Sequence, residues 1–279
     1  MPNSALNMAQ LTGQWLTDHG QLPALKADDP RAIAAERALN AKLVEQQAGL
    51  EKQFMETLRK KGRIPGSANQ RQRIVEQVMA GTFGSMSTTI SDHSGRAAEL
   101  GRLITVEDMG SRVSFRKFDE RTLQTLIDRV YEFCVDTFER IKGEFAATLE
   151  AGYTDGLGID DIAKNLREDF SGLRGYQLTR IARTEVQSAQ NEGSHQTMLD
   201  YGVQFRQWIS AGDDRVRDDL YSHVYMNGQV VRTGENYSNG MQHPGDRSGA
   251  LADFINCRCR EVPYIPGVGE YILTTPYYP

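Results

Sequence analysis

Between Pro30 and Lys61 the chain carries apolar residues at Leu39, Leu43, Leu50, Phe54 and Leu58, spaced by four and seven on an otherwise polar run. That spacing puts one narrow greasy stripe along a helix. Asp28 and Asp29 precede a first-turn proline, and Gly62 follows a last turn of Arg59, Lys60 and Lys61, so start and stop signals agree with the stripe. At 1.5 Å per residue such a helix is about 48 Å long. A rod of this length must bury its stripe against something. A second run, about residues 119–150, repeats the pattern over more turns, with Leu123, Leu126, Ile127, Val130, Phe133, Cys134, Phe138, Ile141, Phe145 and Leu149 at helical spacing. Cys134 reads as a small core residue on that face.

Around these rods the signals vary. RIPGSAN at 63–69 is a break, and Ile74, Val75, Val78, Met79 and Phe83 predict a shorter helix after it. Residues 84–118 are rich in Gly, Ser and Thr with weak periodicity and read as loops, short strands or short helices. The run GYTDGLGIDDIAKNLREDF predicts a glycine-rich turn, a cap at Asp160 and a short helix to Phe170. A further helix is expected over 174–201, ending at Gly202. Beyond it Val203, Phe205, Gln207 and Ile209 alternate with Gln204, Arg206, Trp208 and Ser210, as in a strand. Asn227-Gly228 before Gln229-Val230-Val231 suggests a hairpin, and Cys257 to Tyr264 alternates again. The expected fold class is therefore α+β: an elongated, mostly helical N-terminal region, 1–151, with a small C-terminal α+β domain, 152–279. The boundary is placed at Gly152 and the turn after it.

Charge narrows the function classes. Residues 1–150 hold 20 basic and 20 acidic side chains, leaving 12 basic and 17 acidic beyond, so the formal charge of −5 belongs to the C-terminal part. The global basic field of a dedicated DNA-binding domain is missing. No apolar run approaches the roughly 18 residues that cross a bilayer. Residues 1–25 contain no Lys or Arg, unlike a secretory leader, which points to folding in a reducing cytoplasm.

Several groups of residues are candidates for chemistry. Arg180, Arg183, Thr184, Gln187 and Asn191 fall on one helix face. They can grip phosphates, an acidic partner or the turn carrying Asp213 and Asp214; equally they can form a solvated face with a buried Arg–carboxylate tether. Cys257 and Cys259, two apart on a predicted strand, turn both thiols to one side, with Arg258 and Arg260 on the other. His223 and His243 are available upstream as further ligands and Asp246 as an oxygen donor, so a structural metal site competes with ordinary thiols in a small core. Asp213, Asp214, Arg217, Asp218, Asp219 and His223 also make a metal-dependent nuclease conceivable, although the run DDRVRDD reads more simply as a capped, solvated helix start. The chain has no G-x-S-x-G, H-E-x-x-H, P-loop or dinucleotide fingerprint. Arg59, Lys60, Lys61, Arg63, Arg71 and Arg73 form the dense basic cluster, without the interleaved aromatics of a single-strand platform.

In order, the chain carries R-I-A-R-T-E-V-x-x-A-x-N-x-G at 180–193, Trp208, D-x-R-V-R-D from Asp213, His223 with M-N-G-Q at 226–229, P-G-D at 244–246 and N-C-R-C at 256–259. This series, over about residues 150–265, resembles the phage Mu F-like minor head protein family, also called phage head morphogenesis proteins. The resemblance implies a non-enzymatic virion component of a tailed phage, associated with the portal vertex, acting in head morphogenesis, DNA packaging or DNA ejection and assembled in the host cytoplasm. Its implied partners are the portal protein and other head proteins, with multiple copies around the portal and contact with packaged DNA. Arg180, Arg183, Asn191, Leu39, Leu43, Leu50 and Phe54 are the expected partner-binding residues. Zinc-like patterns in related families imply His223, Cys257 and Cys259 as ligands of a zinc ion, with His243 or Asp246 as the fourth, and no other cofactor. The alternatives are a virion-carried metal-dependent nuclease or transferase effector, and a DNA-binding packaging factor that uses Arg59 to Arg73.

Overall fold

The computed structural model describes residues 29–109, 118–212, 215–217, 223–264 and 266, with the backbone alone described at 122, 126, 127, 129–137 and 166–175. The expectations for residues 1–25, for the Cys134 side chain and for Asp213, Asp214, Asp218 and Asp219 lie outside the described residues. The elements are α1 Pro30–Lys61, α2 Ala68–Asp108, α3 Glu120–Thr154, α4 Ile159–Asp200, β1 Phe205–Ile209, α5 His223–Met226, β2 Val230–Arg232, α6 Leu251–Phe254 and β3 Arg260–Tyr264. The chain is thus mostly helical, with long helices first and a small sheet near the C-terminus, as its periodicities predict. No helix among the described residues is long and apolar enough to cross a membrane.

Helix α1 begins and ends where its signals stand. Asp29 Oδ1 accepts the Arg31 amide at 2.7 Å, satisfying a first-turn donor. Gly62 closes the other end at φ 71°, a left-handed turn that costs a glycine little. The stripe is core: Leu39, Leu43, Leu50, Phe54 and Leu58 are all buried, and Phe54 meets Phe145 of α3 edge-on with ring centroids 5.2 Å apart. These side chains are covered by their own chain. Ile33 and Val44 are the large apolar side chains left exposed on α1.

Two stretches are more helical than their composition suggests. Residues 84–108, read as loops or short elements, continue α2 without a break. Thr88 and Thr89 return their hydroxyls to the carbonyls of Gly84 and Ser85, four residues back, so these polar side chains are satisfied inside the helix. The small residues serve packing. A Cβ on Gly101 would lie 1.9 Å from the Gln190 carbonyl oxygen of α4, and one on Gly193 would lie 2.1 Å from that of Ala98. The two helices cross backbone to backbone there, and Ser194 Oγ donates to the Gly101 carbonyl. Likewise α4 is one helix of 42 residues where two were expected. A helical glycine costs only about 1 kcal/mol relative to alanine, too little to divide a helix whose two halves bury Ile162 and Ala163, then Leu178, Ile181, Ala182 and Val186. Asp160 sits inside its first turn, where the helix dipole favours a carboxylate, and accepts from Arg59 at 2.9 Å.

The end of α4 is a Schellman turn. Val203 N–H reaches the Met198 carbonyl, Gly202 N–H reaches that of Leu199, and Gly202 has φ 67°. Met198 and Val203 then pack with Val106 and Met109. The sheet is antiparallel in the order β2-β1-β3, with Arg206 opposite Val231 on one side and Pro263 on the other. Gly228, at φ 85°, donates to the Trp208 carbonyl, so the Asn227-Gly228 turn leads β2 onto β1. Both faces of β1 are buried from Arg206 to Ile209, whereas its alternating sequence suggests one wet face.

The chain forms two compact units. One comprises the described residues of Met1–Glu36, Ser94–Ile127 and Arg183–Pro279, and includes the sheet. The other comprises Arg37–His93 and Asp128–Ala182, and is helical.

Candidate metal centre

The segment between α6 and β3 is held on α4 by the polar face that the sequence singles out. Asn256 takes a left-handed φ of 59°, which an asparagine tolerates better than most residues. Its amide donates to Thr184 Oγ1 at 2.9 Å and its Oδ1 accepts from Arg183 at 2.9 Å. Arg183 also pairs with Glu36. Gln187 and Asn191 each donate to the Cys259 carbonyl at 2.9 Å. Arg183 and Glu36 thus form an Arg–carboxylate tether, while Gln187 and Asn191 hold a backbone carbonyl. Arg180 is half-buried, its guanidinium 5.6 Å from the centre of the Tyr176 ring.

This seat presents Cys257 and Cys259 to the same side, as their spacing predicts. Cys257 Sγ lies 3.5 Å from His223 Nδ1 and Cys259 Sγ lies 3.4 Å from it. The ligand atoms of the three residues are all within 4.8 Å of one another, and all three are buried. Trp208 closes one side, its ring edge-on to His223 at 5.2 Å. The far nitrogen of the imidazole, Nε2, is 3.1 Å from Asp253 Oδ1 on α6. Arg217 donates to the carbonyls of Asp253 and Ile255, fixing that turn.

The other two candidate ligands stand elsewhere. His243 is engaged by Glu192 at 2.7 Å and by the Pro244 carbonyl. Asp246 accepts from the amides of Gln242 and Ser248 and from the Ser248 hydroxyl, which makes it a loop-forming carboxylate. Arg260, expected to face away from the thiols, pairs with Asp108.

Residues 144–262 match the family model of Phage Mu protein F like protein. No curated protein and no solved structure matches the chain. The Mu F-like segment therefore takes in the end of α3, all of α4, most of the sheet and each residue of the His223, Cys257 and Cys259 group.

Within the Mu F-like segment the titration of this group suits a cation. The hydrogen bond from Cys259, then His223, holds the Cys257 thiol well below its ordinary range against the effect of burial. Burial and the neighbouring Cys257 push the Cys259 thiol well above it. Burial alone would lower His223, but the hydrogen bond and charge of Cys257 outweigh it and raise its pKa. Burial thus opposes a negative charge on both sulfurs at once. A soft or borderline divalent ion such as zinc would supply the opposing charge, and two sulfurs plus one nitrogen are a donor set zinc takes. The group can hold such an ion.

Sequence reasoning missed Asp253, since nothing in the spacing D-x-x-x-C says that the carboxylate will meet a histidine 30 residues upstream. It also missed a buried charged cluster nearby. Arg206 and Glu261, both fully buried, pair at 2.7 Å, and Glu261 also meets His195 at 3.0 Å. Arg247 pairs with the buried Glu185. A strand arginine flanked by alternating apolar residues reads as solvent-facing, and only the fold shows β1 covered on both sides.

Proposed function

We propose that this protein is a minor head protein of a tailed phage, a structural component that acts in head morphogenesis, DNA packaging or DNA ejection at the portal vertex. The observation that carries this reading is the Mu F-like match over 144–262, which suggests a phage head morphogenesis protein. Mu F-like head proteins are generally structural, in keeping with a non-enzymatic role. In this reading residues 1–151 serve docking to the portal protein and other head proteins, and residues 152–279 carry the family's own contribution. The buried stripe of α1 leaves docking to the exposed sides of the long helices.

The DNA-binding alternative has weaker support than the basic cluster alone suggests. Arg71 is buried, donates twice to Glu150 and to the carbonyls of Pro65 and Gly66, and lies 4.0 Å from the Tyr153 ring centre. Arg59 pairs with Asp160. Two of the six cations are thereby paired with carboxylates of the same chain.

The test is to raise an antibody to the purified chain and probe procapsids and finished heads, with chemical cross-linking to the portal. A few copies per particle, cross-linked to portal subunits, are expected; absence from both kinds of particle would overturn the reading. Cleavage of DNA by the purified chain with magnesium or manganese would overturn its non-enzymatic part.

A further inference from the structure

We propose that His223 Nδ1, Cys257 Sγ and Cys259 Sγ bind a zinc ion that fastens α5 to the Cys257–Cys259 segment, which α4 grips from its other side, with Asp253 as the positioning residue that fixes the tautomer of His223. This goes beyond the head assignment and does not depend on it.

Three geometric facts carry it. Both sulfurs stand nearly the same distance from one imidazole nitrogen, 3.5 and 3.4 Å, which is the spacing of neighbouring ligands around a shared centre. Zinc–sulfur bonds of about 2.3 Å and zinc–nitrogen bonds of about 2.0 Å at a tetrahedral angle put ligand atoms about 3.5 Å apart. The second fact is the carboxylate behind the imidazole. Asp253 Oδ1 stands 3.1 Å from Nε2, placed to take a proton from it and so leave Nδ1, the nitrogen that faces the sulfurs, as the ligand atom. Metal-bound histidines are held this way by an outer carboxylate. The third is where the ligands sit. His223 lies on α5 and Cys257 and Cys259 just before β3, while the Cys259 carbonyl and the Asn256 amide and side chain are gripped by Gln187, Asn191, Thr184 and Arg183 of α4. An ion at the sulfurs joins α5 and the Cys segment from one side while α4 holds that segment from the other. These two single-turn helices are too short to persist unaided.

The same atoms admit a rival assignment, because Cys257, His223 and Asp253 stand in the order of a nucleophile, a base and an orienting carboxylate. Such a triad needs one sulfur at the imidazole and access for a substrate. Here two sulfurs share Nδ1 and Cys257 is 3% exposed.

The experiment uses the full chain. It is purified without added metal, analysed for zinc by mass spectrometry, stripped with a chelator and titrated with cobalt(II). About one zinc per chain is expected, and cobalt should give sulfur-to-cobalt absorption in the near ultraviolet together with the visible bands of a tetrahedral ion. Cys257→Ser and Cys259→Ser should each weaken the sulfur band. Asp253→Asn, which keeps shape but loses the charge, should preserve the cobalt spectrum while weakening zinc by 10–100-fold against a chromophoric competitor. Chelation should raise hydrogen exchange at 256–260. If the wild-type chain takes up neither zinc nor cobalt stoichiometrically, the site is not a metal centre, a result that needs no variant to fold. If iodoacetamide labels Cys257 alone, and labelling requires His223 but not Cys259, the triad replaces it. Both readouts come from purified protein, so they stand apart from whether the chain enters heads.

Discussion

His243 keeps a charge that its burial alone would remove. Desolvation pulls its pKa down, but the hydrogen bond to Glu192 and the charges of Glu192, Glu261 and Asp246 outweigh it and raise the value to about 9. A histidine raised above its unfolded pKa of about 6.5 contributes stability that is fully present below that value and is lost as pH rises through 9. The stability gap between wild type and His243→Gln, from urea unfolding, should be widest at pH 6 and shrink by on the order of 3 kcal/mol by pH 9.5. A gap that does not change with pH would remove His243 from this role. The pair beneath it predicts a second effect. Arg206 and Glu261 are both fully buried, and Arg206 also donates to the carbonyls of Gln242 and Glu235. Glu261→Ala strands a buried cation and should cost about 3–5 kcal/mol, while adding Arg206→Met should recover part of the loss. Thermal unfolding of the wild type and these two variants gives the comparison, and equal losses in single and double variants would count against it. At this scale the sequence is least informative. It offers His223, His243, Cys257, Cys259 and Asp246 as ligand types, but a histidine's partner is chosen by the fold, and Glu192 takes His243 while Asp253 takes His223.

Among elements, legibility depended on whether a residue acts through its own conformation or through a neighbour. Helix α1 could be bounded from sequence because proline, Asp29 and Gly62 act locally, and its stripe of leucines has one stable use. The stretch 84–108 could not, because glycine and serine weaken an isolated helix and also let two helices touch, and composition cannot tell these uses apart. Substitution can. Gly101→Ala or Gly193→Ala pushes a methyl into backbone, 1.9 or 2.1 Å from a carbonyl oxygen that cannot swing aside. Each should destabilise by about 1–3 kcal/mol or more. Gly143→Ala places its methyl where nothing lies within 4 Å, on an exposed turn of α3, and should stabilise by roughly 0.5–1 kcal/mol. Circular dichroism melts of the three variants decide it. Equal, small effects of one sign would mean that α2 and α4 do not cross at these glycines.

For the whole molecule, the long helices are shared between the two compact units. Residues 30–36 of α1, 94–108 of α2, 120–127 of α3 and 183–200 of α4 belong to the unit with the sheet, and the remaining turns of each helix belong to the other. Periodicity reports which face of a helix is covered but not by which unit, so this interleaving leaves no trace in the sequence. It has a consequence for dissection. The Mu F-like segment begins at residue 144, yet the second half of α4 rests on Ala98 and Gly101 of α2, Arg102 of α2 pairs with Asp200, and Arg260 of β3 pairs with Asp108. A fragment of residues 152–279 keeps every ligand of the candidate zinc centre but loses those α2 contacts and leaves the α4 backbone at Gln190 and Gly193 uncovered. Expressed alone it should unfold without a cooperative transition and bind a hydrophobic dye. Co-expressed with residues 1–151 it should be recovered as a soluble complex with a sharp melt. If the fragment alone melts cooperatively within a few degrees of the full chain, the α2 contacts are dispensable and the segment is an autonomous domain. If co-expression fails to rescue it, α3 must be unbroken across residues 151 and 152 for its last turn, which carries Gly152, to hold its place against Ile162 of α4.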